Sequence, residues 1–351
     1  MRRLLLILTG PVLMSVVGVI VAIVVGEFAV RVYQRVPLLP LVPPEPYIDN
    51  EILYRPSATR LYELRPGVDE VVGRRAVRIH INAAGQRDDR DLATDKSAGV
   101  YRVVVLGDSF TFGGKVPLER TFSPSLERAL AASDQSRRYE VVNLAVPGYN
   151  TEQEMLSLKE MGLAYHPDLV IVNYVLNDAG RAVQLIPHGS HFPVGLRRVL
   201  KRSDLVQFVY VSLKQLRFLL HGGAFREVDK YPELSAGTRG WEASRAALAE
   251  IARLASSVHA ATLVVVWPML VDLGPGYPHR DHHQLVVGEC EKLGIPVLDL
   301  LPTFEGHDAS ALWAAKDDHH PNGTALGMGA AAVVRDLAAH GMLPATAEAA
   351  G

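Results

Sequence analysis

At 351 residues, with a formal net charge of −2 and 48% hydrophobic residues, the chain can bury one large core and still carry an appendage. Its 36 Lys and Arg are balanced by 38 Asp and Glu; no basic stripe or nucleic-acid-binding motif accompanies them, which excludes a nucleic-acid partner. The only cysteine, Cys290, excludes an intrachain disulfide scaffold and sits in the helical pattern QLVVGECEKLG as a small core residue.

Leu4 to Val25 is a run of 22 residues without a charge, preceded by Arg2 and Arg3. At about 1.5 Å per residue it spans about 33 Å, the thickness of a bilayer core. A cleavable signal peptide would have an apolar region of about 7–15 residues ending in a small-residue site. Here the run is longer and continues into GEFAVRVYQRV without such a site. The expectation is an uncleaved signal-anchor over residues 4–25, with a cytoplasmic tip at 1–3. Arg31 and Arg35 beyond the span offset Arg2 and Arg3, so the orientation rests on how little precedes the helix. That places the body outside the cytoplasm, on a single-pass anchor in an inner or plasma membrane.

Residues 26–50 form a spacer; the part from 36 to 50 has five prolines and reads as an extended, semi-rigid segment. Residues 51–98 alternate in short pieces such as AVRIHINAAGQRDD, which predicts a small β-rich extension. Asn82, Gly85 and Arg87 are expected to hold its last turn and to have no catalytic role.

From residue 99 to 341 apolar strands alternate with helical patterns. Strands are predicted at 102–107, 139–144, 168–174, 261–267 and 295–300. Helices are predicted at 118–133, 151–164, 239–259, 279–293 and 323–340. Thr151-Glu152-Gln153-Glu154 reads as a capping box opening the second helix. Such alternation implies right-handed crossovers, a central parallel sheet and helices on both faces. An insertion at 178–240 contains LRRVLKRSDLVQFVYVSLKQLRFLLH. It fits a lid, a partner helix, a membrane-surface contact or a plain packed helix. Residues 342–351 read as a flexible tail.

The stretch YRVVVLGDSFTFGG, residues 101–114, concentrates the chemistry. Its apolar strand ends at Gly107 and delivers Ser109 to the carboxyl edge of the sheet, where open α/β sheets bind ligands. Alone, Asp108-Ser109 is explained as a helix cap. Three further features fall at strand ends or before the last helix: Pro147-Gly148-Tyr149-Asn150, Asn177-Asp178, and Asp317-Asp318-His319-His320-Pro321. Each has a bland reading as a turn or loop. Together they supply acyl transfer. Serine needs a base to take its proton, and histidine does so best when a carboxylate fixes its tautomer. Asp317 and His320, three apart on a short turn, are the expected pair. Ser109 N–H, Gly148 N–H and the Asn177 amide are the expected oxyanion donors, with Asp108 and Asp178 in support.

These blocks, in this order, resemble those of the SGNH hydrolases, the GDSL esterase/lipase superfamily. GDSFTFG (107–113), the segment around Gly148, VLND (175–178) and Asp317 to Pro321 match its four blocks, over about residues 100–340. The third block departs in one place: Val175 stands where glycine is usual. The resemblance implies a flavodoxin-like three-layer α/β/α fold and an esterase of the membrane-anchored bacterial type. It implies Ser109 as nucleophile, His320 as base, Asp317 as its orienter, and Ser109, Gly148 and Asn177 as the oxyanion hole.

The reading is thus a serine esterase acting on an acyl ester, with an acetylated glycan as a candidate substrate and no metal or organic cofactor. An O-acetyltransferase with the same triad, modifying cell-envelope polysaccharide, stays open. So do a metallohydrolase using ligands from His279, His282, His283, Asp317, Asp318, His319 and His320, and a non-catalytic scaffold.

Overall fold

The chain divides into two compact units, residues 1–46 with 188–225 and residues 47–187 with 226–351. The computed structural model describes residues 11–35, 50–72, 76–182, 203, 205, 206, 208, 209, 212, 213, 231–315 and 318–343. In the first unit, helix α1 (Pro11–Arg35) contains Met14–Val32, with a mean hydropathy of 2.2; it is long and apolar enough to cross a membrane. The span read from the sequence ends at Val25, short of the end of this helix. A helix tolerates charges beyond that point because Glu27 and Arg31, one turn apart, pair at 2.9 Å. The tip at 1–3, most of the spacer and most of the insertion lie outside the described residues.

The second unit opens with a short helix α2 (Asn50–Leu53) and two antiparallel pairs. These are β1 (Tyr54–Ser57) with β2 (Leu61–Leu64), and β3 (Asp69–Val72) with β4 (Val77–His80). Each pair is too short to stand alone. Tyr54, Tyr62, Leu64 and Ile79 therefore bury themselves in a small core completed by Phe112, Val146 and Tyr149 of the main body.

The main sheet consists of β5 (Val100–Gly107), β6 (Arg138–Asn143), β7 (Leu169–Tyr174), β8 (Ala261–Val266) and β9 (Val297–Asp299). All its pairings are parallel, in the order β6-β5-β7-β8-β9. Counted within the sheet this is 2-1-3-4-5, the flavodoxin-like order, whose switch point lies between the first and third strands. Every residue of β5 and of β7 is buried. Successive side chains of a strand face opposite ways. Val103 and Val105 accordingly join one core, with Leu126 of α4 (Phe122–Ser133) and Val333 of α9 (Gly323–Ala339). Val104 and Leu106 join the other, with Leu158 of α5 (Thr151–Glu160), Ile251 of α6 (Arg239–Ser257) and Cys290 of α7 (Arg280–Leu293). Burying such a side chain contributes about 1.5–3 kcal/mol. The remaining short helices are α3 (Ser109–Phe112) and α8 (Leu301–Phe304).

The predicted strands and helices of the main body all form, with ends shifted by a few residues. The cap of α5 falls one residue earlier than expected. Asn150 accepts from the Gln153 amide, and the Gln153 side chain answers the Asn150 N–H. Asn is as good an N-cap as Thr, and residues 150–153 give the box its spacing.

Candidate active site

The turn at Gly107 is set by a close approach. A Cβ on Gly107 would lie 2.3 Å from Thr111 Oγ1, so only glycine lets the chain fold straight from β5 into α3. Asp108 then caps α3, its Oδ1 accepting from Phe110 N at 2.8 Å. Ser109, the first residue of that helix, is left at the carboxyl edge of the sheet.

The histidine comes from a hairpin of β10 (Trp313–Ala315) and β11 (Asp318–Pro321), just before α9. In β11 alternate residues share a face. Asp318 and His320 therefore turn together, and Asp318 Oδ1 lies 2.5 Å from His320 Nδ1. His320 Nε2 lies 2.8 Å from Ser109 Oγ. His319 faces the other way and stacks on Trp313, with centroids 3.9 Å apart at 17°. The expected partner of His320, Asp317, lies outside the described residues, and the carboxylate at Nδ1 is that of Asp318. The expectation assumed one helical turn across the block, whereas the segment is extended and brings together residues two apart.

The electrostatics follow the geometry. Burial works against the charge on Asp318, but hydrogen bonding to His320, the imidazole's charge and Lys115 hold its carboxyl well below the usual range. Lys115 Nζ is 3.0 Å from Asp318 Oδ2. Burial alone would depress His320; the hydrogen bond and charge of Asp318 outweigh it, and the imidazole is raised above its ordinary value.

The segments expected to supply oxyanion donors are tied to the turn at Gly107-Asp108 by hydrogen bonds. Gly148 takes φ +79°, which favours glycine. Val146 N donates to Gly107 O at 3.0 Å, so the Gly148 loop is tied to the Gly107 turn. Asp178 Oδ2 accepts from Val175 N at 3.0 Å and closes the turn that presents Asn177. Val175 is buried and has no positive φ, so the position does not need glycine. Asn177 Nδ2 donates to Asp108 Oδ2 at 3.0 Å, and Ser109 Oγ lies 3.3 Å from the same oxygen. Asn177 has two N–H donors, so one can serve Asp108 and the other a ligand. A cavity of about 220 Å³ opens beside Gly148, Asn150 and Asn177, lined further by Leu176, Arg181 and Tyr231.

Three contributors escape a reading of the sequence. Lys115 braces Asp318, and its only sequence signal is a lone basic residue close after the nucleophile block. Arg87, expected only to hold a turn, is buried and donates to Phe112 O, Gly113 O and Val116 O at 2.5–2.7 Å. The turn itself is held by Asn82 Oδ1, which accepts from Ala84 N and Gln86 N. Glu154 is fully buried, and its carboxyl is raised well above the usual range by desolvation and by the charge of Asp108. Asp178 is raised likewise by burial and by Glu154. Neutral forms avoid the cost of burying unpaired charge.

The other histidines are packed differently. His283 Nδ1 lies 2.7 Å from Asp299 Oδ1, and its Nε2 lies 3.3 Å from the Tyr277 hydroxyl. Tyr231 packs edge-on against His279. Among the described residues, no group of three His, Cys, Asp or Glu is arranged to hold a metal ion.

Comparison with known proteins finds a match between residues 105–325 and the model of the GDSL-like lipase/acylhydrolase family. Among solved structures the chain is similar to that of TesA, at 16% identity, TM-score 0.44, over 69% of this chain and 99% of that one. It is also similar to LAE5, an alpha/beta hydrolase from the metagenome of Lake Arreo, Spain (17%, 0.43, 70% and 97%). A third is a catalytic mutant of Axe2, an acetylxylan esterase from Geobacillus stearothermophilus (15%, 0.42, 68% and 94%). No curated protein sequence matches.

Proposed function

The chain belongs to the GDSL-like lipase/acylhydrolase family, and on that footing we propose that it is a serine esterase removing acetyl or other short acyl groups. The observation that carries the reading is the line from Ser109 Oγ through His320 to Asp318, at 2.8 and 2.5 Å. His320 Nε2 takes the Ser109 proton as Oγ attacks the ester carbonyl. The charge that grows on the carbonyl oxygen is met by Ser109 N–H, Gly148 N–H and the second N–H of Asn177. The imidazolium then gives its proton to the departing alkoxide, which leaves as an alcohol. Water, deprotonated by the same nitrogen, attacks the acyl-enzyme; the carboxylic acid departs and Ser109 regains its proton. Asp318 holds the tautomer and stabilises the imidazolium, the part the sequence assigned to Asp317.

The substrate of this proposal is an ester of a short acyl group, with an acetylated glycan as the candidate; the cavity of about 220 Å³ beside Gly148 and Asn177 offers room next to two of the expected oxyanion donors. The span Met14–Val32 is long and apolar enough to cross a membrane, which supports a membrane-spanning segment; an uncleaved anchor with the body outside the cytoplasm is part of the proposal. No cofactor takes part in this scheme.

A fluorophosphonate probe tests the serine, because only an activated hydroxyl reacts with it. Labelling is expected in the wild type and in His319→Ala, and is expected to vanish in Ser109→Ala and His320→Ala. Equal losses of aryl-acetate turnover in the two histidine variants, with inactivation by a chelator that zinc reverses, would replace this reading with a metal-dependent one.

A further inference from the structure

The insertion contributes a second apolar element to the first unit. Residues 205, 206, 208, 209, 212 and 213 are helical, and this piece is fastened to α1. Glu27 Oε2 accepts from Ser203 Oγ at 2.7 Å and from Leu205 N at 3.1 Å, while Ser203 Oγ accepts from Val206 N at 3.2 Å. The start of the helix is thereby capped partly by a side chain of α1. At Gly26 the two chains come so close that a Cβ would lie 2.9 Å from Leu205 Cδ2. The absence of a side chain is what lets Leu205 seat there.

The opposite face carries the inference. Leu205, Phe208 and Ser212 are half-buried, whereas Val206, Val209 and Leu213 are 37%, 47% and 60% exposed. Spacings of three and four residues put those three on one helical face. Leu205 is thus seated against α1 while an exposed apolar face is left on the same helix, a pattern that suits a membrane and not water. On α1, Phe28 and Val32 are likewise exposed, at the same end as Gly26 and Glu27. The second helix thus starts against the carboxyl half of α1, where both helices leave apolar side chains uncovered. Glu27, Arg31 and Ser203 form the polar cluster at their junction, as expected where a helix reaches the headgroup level.

We propose that the helical residues 205, 206, 208, 209, 212 and 213 belong to a second membrane-contacting element, with Val206, Val209 and Leu213 seated among lipid acyl chains beside the carboxyl end of α1. The proposal rests on the reading of α1 as a membrane anchor, and it assigns to part of the insertion a lipid-bound role.

The full-length chain in phosphatidylcholine–phosphatidylglycerol vesicles provides the test. Single cysteines are introduced as Val209→Cys, Leu213→Cys and, at mid-anchor, Ile20→Cys, and each is labelled with an environment-sensitive fluorophore. Cys290 is buried and its thiol is pushed up to about 12 by that burial, so it stays unlabelled. The expected result is blue-shifted emission at 209 and 213 that brominated acyl chains quench, as they quench the label at 20. A quenched label at 20 with water-like emission at 209 and 213 overturns the proposal and leaves the anchor standing. Blue-shifted but unquenched emission at 209 and 213 means that protein, such as a second copy, covers the face, and also overturns it. If the label at 20 is itself unquenched, the anchor reading fails and takes the proposal with it.

Discussion

The molecule builds the same line of carboxylate, imidazole and hydroxyl twice. At one place Asp299, His283 and Tyr277 are joined at 2.7 and 3.3 Å; at the other, Asp318, His320 and Ser109 are joined at 2.5 and 2.8 Å. Both lie near the carboxyl edge of the sheet. The His283 side chain is 1% exposed, against 44% for His320. The hydroxyls differ as well. Tyr277 accepts from Met269 N, and Asp299 also caps α8 through Leu301 N, so the first line is spent on bracing loops. Ser109 Oγ has no such bracing duty: it lies 2.8 Å from His320 Nε2 and 3.3 Å from Asp108 Oδ2. The two lines are built from the same kinds of group, and the exposure of the histidine is what separates them.

The largest effect expected from breaking this comparison is at the hydroxyls. Ser109→Ala should lower kcat by about 10⁴- to 10⁶-fold without loss of folding, because nucleophile and base act as a unit. Tyr277→Phe should leave kcat as it is and cost about 1–3 kcal/mol of stability, because its hydroxyl serves both Met269 N and His283 Nε2. Steady-state turnover beside thermal melts reads both, and a large kcat loss in Tyr277→Phe would refute the division.

The carboxylates come next. Asp318→Asn should cost about 10⁴-fold in kcat, since the wrong tautomer is then held. Asp299→Asn should lower stability by about 1–3 kcal/mol and spare kcat. Asp317→Asn sharpens the contrast: turnover close to wild type is expected, and a loss as large as that of Asp318→Asn would restore the pairing read from the sequence. Asn177→Ala, which removes a donor present in only one of the two lines, should lower kcat by about 10²–10³ with KM nearly constant. An effect carried wholly by KM would make Asn177 a substrate-binding residue.

The smallest effect is on pH dependence. Protonated His320 cannot accept the serine proton, and its pKa is raised. The acid limb of kcat/KM should therefore lie above about 6.5, the value of an unperturbed imidazole. Lys115 opposes that protonation, so Lys115→Met should move the limb further up; a downward shift would contradict the assigned charges.

How much could be read in advance varies along the chain. β5, β7 and β8 were legible because strands buried on both faces are continuous apolar runs, and the helices that follow show their own period. The meeting of Ser109 with His320 was foreshadowed by four blocks arriving in order, and the two side chains do lie 2.8 Å apart. The contact of Asp318 with His320 was not foreshadowed, because a polar stretch such as KDDHHP has no hydrophobic period to tell a turn from a strand. Arg87 stayed hidden for another reason: its three acceptors are backbone carbonyls 25 to 29 residues away, and carbonyls leave no mark in a sequence. The length of α1 was missed because a charge looked like an end, whereas Glu27 and Arg31 satisfy one another.

The β-rich extension bears on where an autonomous enzyme can be cut from this chain. The family match starts at residue 105, which invites a fragment beginning near the first strand of the sheet. Yet the Tyr62 hydroxyl donates to Pro147 O, and the Tyr149 hydroxyl donates back to Tyr62 O, clasping Gly148 from both sides. Arg87 meanwhile holds the loop that follows α3. A fragment starting at 99 would keep Ser109, Asp318 and His320 but lose both clasps, so it should fold poorly or bind oxyanions badly. The smallest working piece of this chain is therefore expected to begin ahead of β1.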